Sequence, residues 1–186
     1  MYKRQDYFHA QVDLEHAKIS SILEDRDGNI WLGLFQKGVF MQPHQDSGFS
    51  YVGYKSGRYD IIGSACVMSV YAGKDCTLWV GTDNDGLYAL DMKSYAVSHY
   101  SSDTGGLPAT ITSIVEDKDG KLWLGSYLGG AGWLDRQTGQ FNRLPFTCRG
   151  MAVHVFRLLA DAEDNLWIAT LGDGLKKYNL KTHELT

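Results

Sequence analysis

Apolar residues occur in short runs along most of the chain, and polar turn residues separate these runs every few positions. The apolar run Ile111–Val115, for example, is followed by Asp119-Gly120 and then by a second apolar run, Leu122–Leu124. Asp-Gly between two apolar runs is typical of a β-hairpin, because glycine readily adopts the positive φ that a tight turn requires. The pattern therefore predicts antiparallel strands joined by short turns.

This hairpin pattern occurs four times in the sequence. The four copies align on tryptophans separated by 48, 44 and 44 residues: Trp31, Trp79, Trp123 and Trp167. Each tryptophan has apolar residues twelve, nine and one positions before it and a glycine seven positions after it. Third and fourth strands follow the glycine, as in Gly86–Asp91 and Ala96–Tyr100. Four short strands per period of about 45 residues are typical of a propeller blade. The sequence therefore predicts an all-β fold, a β-propeller with four four-stranded blades.

The repeats predict a single propeller unit over residues 1–186. Its approximate blades cover residues 17–60, 64–102, 109–147 and 152–186, and an additional outer strand covers residues 4–10. The last repeat ends after its third strand, so Tyr7–Ala10 could complete the sheet that holds Trp167 and close the ring, which removes exposed strand edges. Two alternatives stay open: the chain is part of a larger ring, or copies of it pair to complete one.

A repeat of paired helices is the main alternative fold, because helical solenoids also have periods of 40 to 47 residues. Glycines and turns recur too densely for that, and no stretch between them is rich enough in Ala, Leu and Glu for paired helices. Four of the five tryptophans occupy equivalent repeat positions, which indicates packing between blades. Only Trp133 departs from this register.

Composition and charge exclude several classes of function. The formal net charge is −4, and a nucleic-acid-binding module normally carries a clustered basic face, so no nucleic-acid partner is expected. The sequence contains no apolar run of 18 residues, so direct membrane insertion is not expected. It also has no signal-peptide pattern, so the polypeptide as written would stay in the cytoplasm.

Metal and cofactor chemistry is not predicted, and neither is a catalytic residue. The six histidines are scattered, and the three cysteines form no Cys-x-x-Cys pair. The stretches Asp25–Gly28 and Asp117–Gly120 resemble the start of a calcium loop, but the ligand ladder does not continue, so hairpin turns explain them better. Cys66 and Cys76 flank a predicted hairpin at opposite ends of its strands, where a disulfide is not expected.

Candidate ligand-binding residues lie in the loops that follow the tryptophan strands, because rigid blades hold such loops in place. Those in the loops are Asp83, Asn84, Asp85, Tyr127 and Asp173, and Trp133, which departs from the repeat register, is a further candidate. Tyr127 and Trp133 could offer flat apolar faces to a sugar, and the carboxylates and the amide could accept hydrogen bonds from its hydroxyls. The structural alternative for each residue is a surface turn or packing between blades.

The segment from Ile111 to Ser126, ITSIVEDKDGKLWLGS, resembles the two-component regulator propeller repeat, and the four copies cover most of the chain. The resemblance implies a periplasmic sensor region of a hybrid two-component system of Bacteroides-type bacteria, in which many members respond to glycan fragments. It therefore implies a non-catalytic segment with an oligosaccharide ligand, and either a homo-oligomer or the remaining blades of a larger sensor as partner. The alternative is a protein–protein interaction scaffold, or a truncated fragment with no ligand of its own.

Overall fold

The computed structural model describes residues 16–36, 38–42, 44, 50–52, 62–63, 66–148 and 151–186, and the fold is given for these residues. Blade 1 contains β1 Ile19–Glu24, β2 Ile30–Leu34, β3 Gly38–Gln42 and β4 Ser50–Val52. Blade 2 contains β5 Val67–Ala72, β6 Thr77–Thr82, β7 Leu87–Asp91 and β8 Val97–Tyr100. A short helix, α1 Ser102–Gly105, then leads to blade 3, which contains β9 Ile111–Glu116, β10 Leu122–Ser126, β11 Gly130–Leu134 and β12 Phe141–Arg143. A small hairpin, β13 Thr147–Cys148 and β14 Met151–Ala152, precedes blade 4, which contains β15 Val155–Ala160, β16 Asn165–Thr170 and β17 Leu175–Asn179.

Each blade is an antiparallel sheet whose strands follow one another in chain order. Blades 1, 2 and 3 each contain four strands, and blade 4 contains three named strands. The sequence-based prediction of an all-β fold built from four propeller blades is therefore confirmed.

Blade 4 has an outer segment that sequence analysis did not anticipate. The backbone N–H of Lys177 donates to the carbonyl of Thr186 at 2.7 Å, the N–H of Thr186 donates back to Lys177 at 2.9 Å, and Tyr178 pairs with Leu185. Residues 184–186 thus begin a fourth strand along the edge of β17. The predicted outer strand at 4–10 lies outside the described residues, so the closed seam stays a prediction.

Side-chain hydroxyls on the first strand of one blade bond to the backbone of the next blade. The hydroxyl of Ser20 donates to the carbonyl of Val67 at 2.6 Å, and the hydroxyl of Thr112 donates to that of Val155 at 2.7 Å. These bonds join equivalent ends of neighbouring first strands, so the blades all run in the same direction. The row of blades therefore has two faces with different loops.

We call these the lower face and the upper face. The lower face carries the turns between first and second strands, at 25–29, 73–76, 117–121 and 161–164. The upper face carries the turns between second and third strands, at 83–86, 127–129 and 171–174, and the connection 101–110 between blades 2 and 3.

The hydrophobic core lies between adjacent blades. Trp79 and Leu87 of blade 2 pack with Ile111 and Leu122 of blade 3, and equivalent residues form the other two junctions. At Gly81 an added Cβ would lie only 2.6 Å from the carbonyl oxygen of Ile111, so the glycine allows the two strands to approach. Trp31, Trp79 and Trp123 are buried in these junctions, which supports their structural interpretation.

The aspartate six positions before the tryptophan explains why the lower-face turns are acidic. Asp25, Asp117 and Asp161 accept the indole N–H of the tryptophan in their own blade, at 2.7, 2.8 and 2.8 Å. The same carboxylates accept backbone N–H groups two and four residues later. These aspartates hold the hairpin, as the sequence favoured over a calcium site. Among the described residues, no three His, Cys, Asp or Glu side chains are grouped as metal ligands would be.

Candidate functional site

The upper face of blades 2, 3 and 4 forms one continuous surface. The N–H of Gly86 donates to the carbonyl of Ala109 at 2.7 Å, which ties the blade 2 turn to the connection between blades. Gly129 of blade 3 lies against the neighbouring residue of this connection, since an added Cβ there would meet the ring of Pro108. In blade 4, the N–H of Leu171 donates to the carbonyl of His154 at 2.8 Å. The turns that contain five of the six candidate residues therefore neighbour one another.

The blade 2 turn contains Asp83, Asn84 and Asp85. Asn84 has a φ of 71°, a left-handed conformation that asparagine tolerates better than most residues. The hydroxyl of Thr110 donates to Asp83 Oδ1 at 2.9 Å, and the Asp83 N–H donates to the carbonyl of Cys66 at 2.9 Å. The turn is thus fixed at both ends, while the side chain of Asn84 is exposed.

Asp85 belongs to a polar cluster that sequence analysis missed. The hydroxyl of Tyr88 donates to Asp85 Oδ2 at 2.5 Å and accepts from the backbone N–H of Gly63 at 2.9 Å. The imidazole of His99 stacks on the Tyr88 ring with centroids 4.2 Å apart, and its Nε2 lies 2.7 Å from the Asp85 carbonyl. Burial, together with the hydrogen bond to Asp85, raises the pKa of Tyr88 to about 12. Tyr88 is therefore a neutral donor that orients the Asp85 carboxylate.

Tyr127 is the most exposed aromatic candidate, with 46% of its surface accessible. Its ring lies 4.7 Å from that of His154, which also contacts the Tyr127 carbonyl through Nδ1. Leu128 and Leu171, both exposed, lie in the turns of blades 3 and 4. Tyr127, Leu128, His154 and Leu171 thus form an apolar and aromatic part of the upper face. Sequence analysis noted Tyr127 but not His154, because the two residues meet only in the folded chain.

Asp173 lies in the blade 4 turn. Its N–H donates to the hydroxyl of Thr170 at 3.2 Å, and its Oδ2 forms an ion pair with Lys176 Nζ at 3.1 Å. Its carboxylate therefore lies on the same surface as Tyr127, but with a cation beside it.

Trp133 is placed differently from the other five candidates. It lies within β11, opposite Trp123 of β10, and not in an upper-face turn. The ammonium of Lys121 lies 3.9 Å from the centroid of the Trp133 ring, so one ring face already has a cation–π partner. Trp133 is half-buried at the outer part of blade 3.

Within the described part of the chain, neither Cys66 nor Cys76 forms a disulfide bond. Burial raises the pKa of the Cys66 thiol, so this group remains protonated at neutral pH. In the described part of the chain, no helix has the length and apolar character that crossing a membrane requires.

Sheets of this kind, joined face to face through tryptophan junctions, define the class of protein: a row of β-propeller blades with loops on two faces. Residues 13–36 and 105–128 match the model of the two component regulator propeller. The second of these segments contains Ile111–Ser126, so the resemblance noted in the sequence is confirmed at this repeat. A comparison with curated proteins finds no match.

Several solved structures share this fold. The extracellular domain assigned to the hybrid two-component system BT3049 of B. thetaiotaomicron has a TM-score of 0.76 at 22% identity, covering 91% of this chain and 22% of that one. The extracellular domain of a second such system, BT4673, has a TM-score of 0.62 at 23% identity, with coverages of 94% and 28%. Virginiamycin B lyase from Staphylococcus aureus has a TM-score of 0.69 at only 12% identity. The chain thus spans less than a third of the length of these two extracellular domains, and these identities establish the fold alone.

Proposed function

We propose that this chain is a non-catalytic, ligand-sensing segment of a two-component signalling protein and that its upper face binds an oligosaccharide. The observation that carries the proposal is the continuous surface over blades 2 to 4. It combines the exposed ring of Tyr127 with the carboxylates of Asp83, Asp85 and Asp173. Aromatic faces pack on the apolar face of a sugar ring, and carboxylates accept hydrogen bonds from its hydroxyls.

The geometry suits recognition better than chemistry. The Asp83 and Asp85 carboxylates are already hydrogen-bonded to Thr110 and Tyr88, which fixes their orientation before a ligand arrives. Preorganised acceptors lose less conformational entropy on binding. The exposed amide of Asn84 adds a donor and an acceptor between them.

A periplasmic location is part of the proposal. It is supported by the two regulator propeller repeats and by the extracellular origin of the two Bacteroides structures. In that compartment, the upper face would meet glycan fragments directly.

Titration calorimetry with xylo-, manno- and chito-oligosaccharides tests the proposed ligand class, and Tyr127→Ala tests the surface. Loss of one stacking ring is expected to weaken binding by about two- to tenfold, because such contacts contribute about 0.5–1.5 kcal/mol. Tyr95→Ala is the matched control, since Tyr95 is 47% exposed but lies in the turn between β7 and β8, away from the upper face. Equal losses in both variants, or no binding of any oligosaccharide at millimolar concentration, would refute the proposal.

A second candidate function, docking of blades, is favoured by the exposed ends of the row. Ile22 of blade 1 is 71% exposed, whereas Ile114 at the same repeat position is buried. Leu175 of blade 4 is 61% exposed, whereas Leu87 at its repeat position is fully buried. We propose that these two blade faces are covered by a second copy of the chain or by further blades of a larger sensor.

Solution mass distinguishes the two partners. A dimer that Ile22→Glu dissociates would indicate pairing between copies, because a charge buried in an apolar junction is costly. If the protein is a monomer and Ile22→Glu does not change its stability, the face is uncovered in this chain, which would favour further blades of a larger sensor as the partner. A monomer that Ile22→Glu destabilises as strongly as Ile114→Glu would show that the face is already covered within the chain, against the proposal.

A further inference from the structure

Blade 2 differs from the other blades in one contact of its tryptophan. In the position where blades 1, 3 and 4 carry the aspartate that accepts the indole N–H, blade 2 has Gly73. Trp79 is only 2% exposed, and within the described part of the chain its Nε1 has no hydrogen-bond partner. A buried N–H donor without an acceptor is rare in folded proteins, because its lost hydration is not replaced.

A second unpaired donor lies against the same indole ring. The guanidinium carbon of Arg136, from blade 3, lies 5.1 Å from the centroid of Trp79. The two terminal nitrogens of Arg136 are engaged, with Nη1 2.9 Å from Asp75 Oδ2 and Nη2 3.4 Å from Glu116 Oε1. Its Nε is buried and, among the described residues, has no partner. The junction of blades 2 and 3 thus holds two N–H donors that lack an acceptor.

The missing side chain of Gly73 leaves a notch on the lower face beside Trp79 Nε1. An added Cβ at Gly73 would lie 3.2 Å from Trp79 Nε1 and 2.8 Å from Asp75 Oδ1, so the Asp75 side chain covers the notch. That side chain is half exposed, and its Oδ1 accepts only a long bond of 3.2 Å from the N–H of Thr77. An outward turn of Asp75 gives up this bond and the exposed ion pair of its Oδ2 with Arg136, but breaks no buried contact.

Charged side chains of both signs surround the notch. The guanidinium of Arg136 is paired with the carboxylates of Asp75 and Glu116. The backbone carbonyl of Lys74 accepts from Arg26, and the Lys74 ammonium donates to the carbonyl of Asp117, so both cations are held at this junction.

We infer that the Gly73 notch binds a small carboxylate, one group of which accepts from both Trp79 Nε1 and Arg136 Nε. The bound carboxylate takes the place of the aspartate that blades 1, 3 and 4 each carry in their own hairpin turn. A carboxylate has two oxygens and about four acceptor positions, so it can serve both donors at once. This site lies on the lower face and is separate from the proposed oligosaccharide surface.

The indole N–H resonances test the inference directly in the folded wild-type chain. Titration with sodium acetate or formate, against sodium chloride at equal ionic strength, is expected to shift the Trp79 resonance in a saturable way. The resonances of Trp31, Trp123 and Trp167 should not move, because their N–H groups already have carboxylate partners. An unmoved Trp79 resonance, or an equal shift with chloride, would overturn the inference.

Gly73→Asp supplies the carboxylate covalently and gives a second, independent measurement. The variant is expected to unfold at a higher temperature than the wild type without acetate and to gain nothing further from acetate. The wild type should gain stability as acetate is added, because a ligand that binds only the folded state raises stability with its concentration. Equal acetate responses in the two proteins would also overturn the inference.

Discussion

Replacing Asp117 by alanine removes the acceptor that holds the lower-face hairpin of blade 3. Asp117 is buried and accepts from the N–H of Asp119 at 3.0 Å, the N–H of Lys121 at 2.9 Å and the indole of Trp123 at 2.8 Å. Leaving the buried indole unpaired costs about 1–3 kcal/mol, and each hydrogen bond to a charged group contributes about 1.5–3 kcal/mol. Because water can replace the bonds to the two backbone groups, we expect a loss of about 3 kcal/mol.

That loss is a large part of the stability of a domain, which is typically about 5–15 kcal/mol. Urea unfolding followed by tryptophan fluorescence should show a lower midpoint with an unchanged slope. Asp119→Ala is the control, because Asp119 lies in the same turn but its side chain is exposed. A loss for Asp117→Ala no greater than that for Asp119→Ala would refute the role assigned to the buried carboxylate.

Three further predictions concern individual turns and junctions. Cys76→Gly should raise the free energy of unfolding by about 1 kcal/mol in urea titrations, because Cys76 has a φ of 64° at the hairpin position where blade 1 has Gly28. The hydrogen bond from the side chain of Asn165 is the main cause that lowers the pKa of Asp161 to about 2. The stability that this carboxylate contributes is complete above its unfolded pKa near 4 and is lost as the pH falls toward 2. Asp161→Asn should remove this pH dependence from acid-unfolding curves. Gly81→Ala should lower the thermal midpoint, with a cost of about 1–3 kcal/mol, because its Cβ would meet the backbone of blade 3; a midpoint within a degree of wild type would contradict the close approach.

The fold could be predicted because its determinants are local and repeat. The tryptophan register and the Asp-Gly turns fixed strand order within each blade without knowledge of distant contacts. The same register also marked Trp31, Trp79 and Trp123 as junction residues, as the structure shows. The end of blade 4 was missed, because Leu185 pairs with Tyr178 through a single bridge in a segment with no apolar alternation.

The candidate surface was only partly predictable from the sequence. Polar turns indicated Asp83 to Asp85, but the contact of Asp85 with Tyr88 and His99 depends on how β7 and β8 lie beside the turn. Trp133 departed from the repeat and was therefore a candidate, yet Lys121, which is twelve residues away, covers one face of its ring. Pairs of this kind depend on side-chain packing, which the pattern of one strand does not encode.

The hydroxyl bonds between first strands join each blade only to the blades before and after it. Stability in such a row is therefore approximately a sum over blades and neighbouring junctions, as in other repeat proteins. An inner blade loses two junctions when it unfolds, whereas an end blade loses one. Backbone amides should consequently exchange with solvent first from the ends, and β9 and β10, which have a junction on either side, should exchange among the last. The row would behave as a one-dimensional chain of cooperative units, loosening inward from whichever end lacks a neighbour.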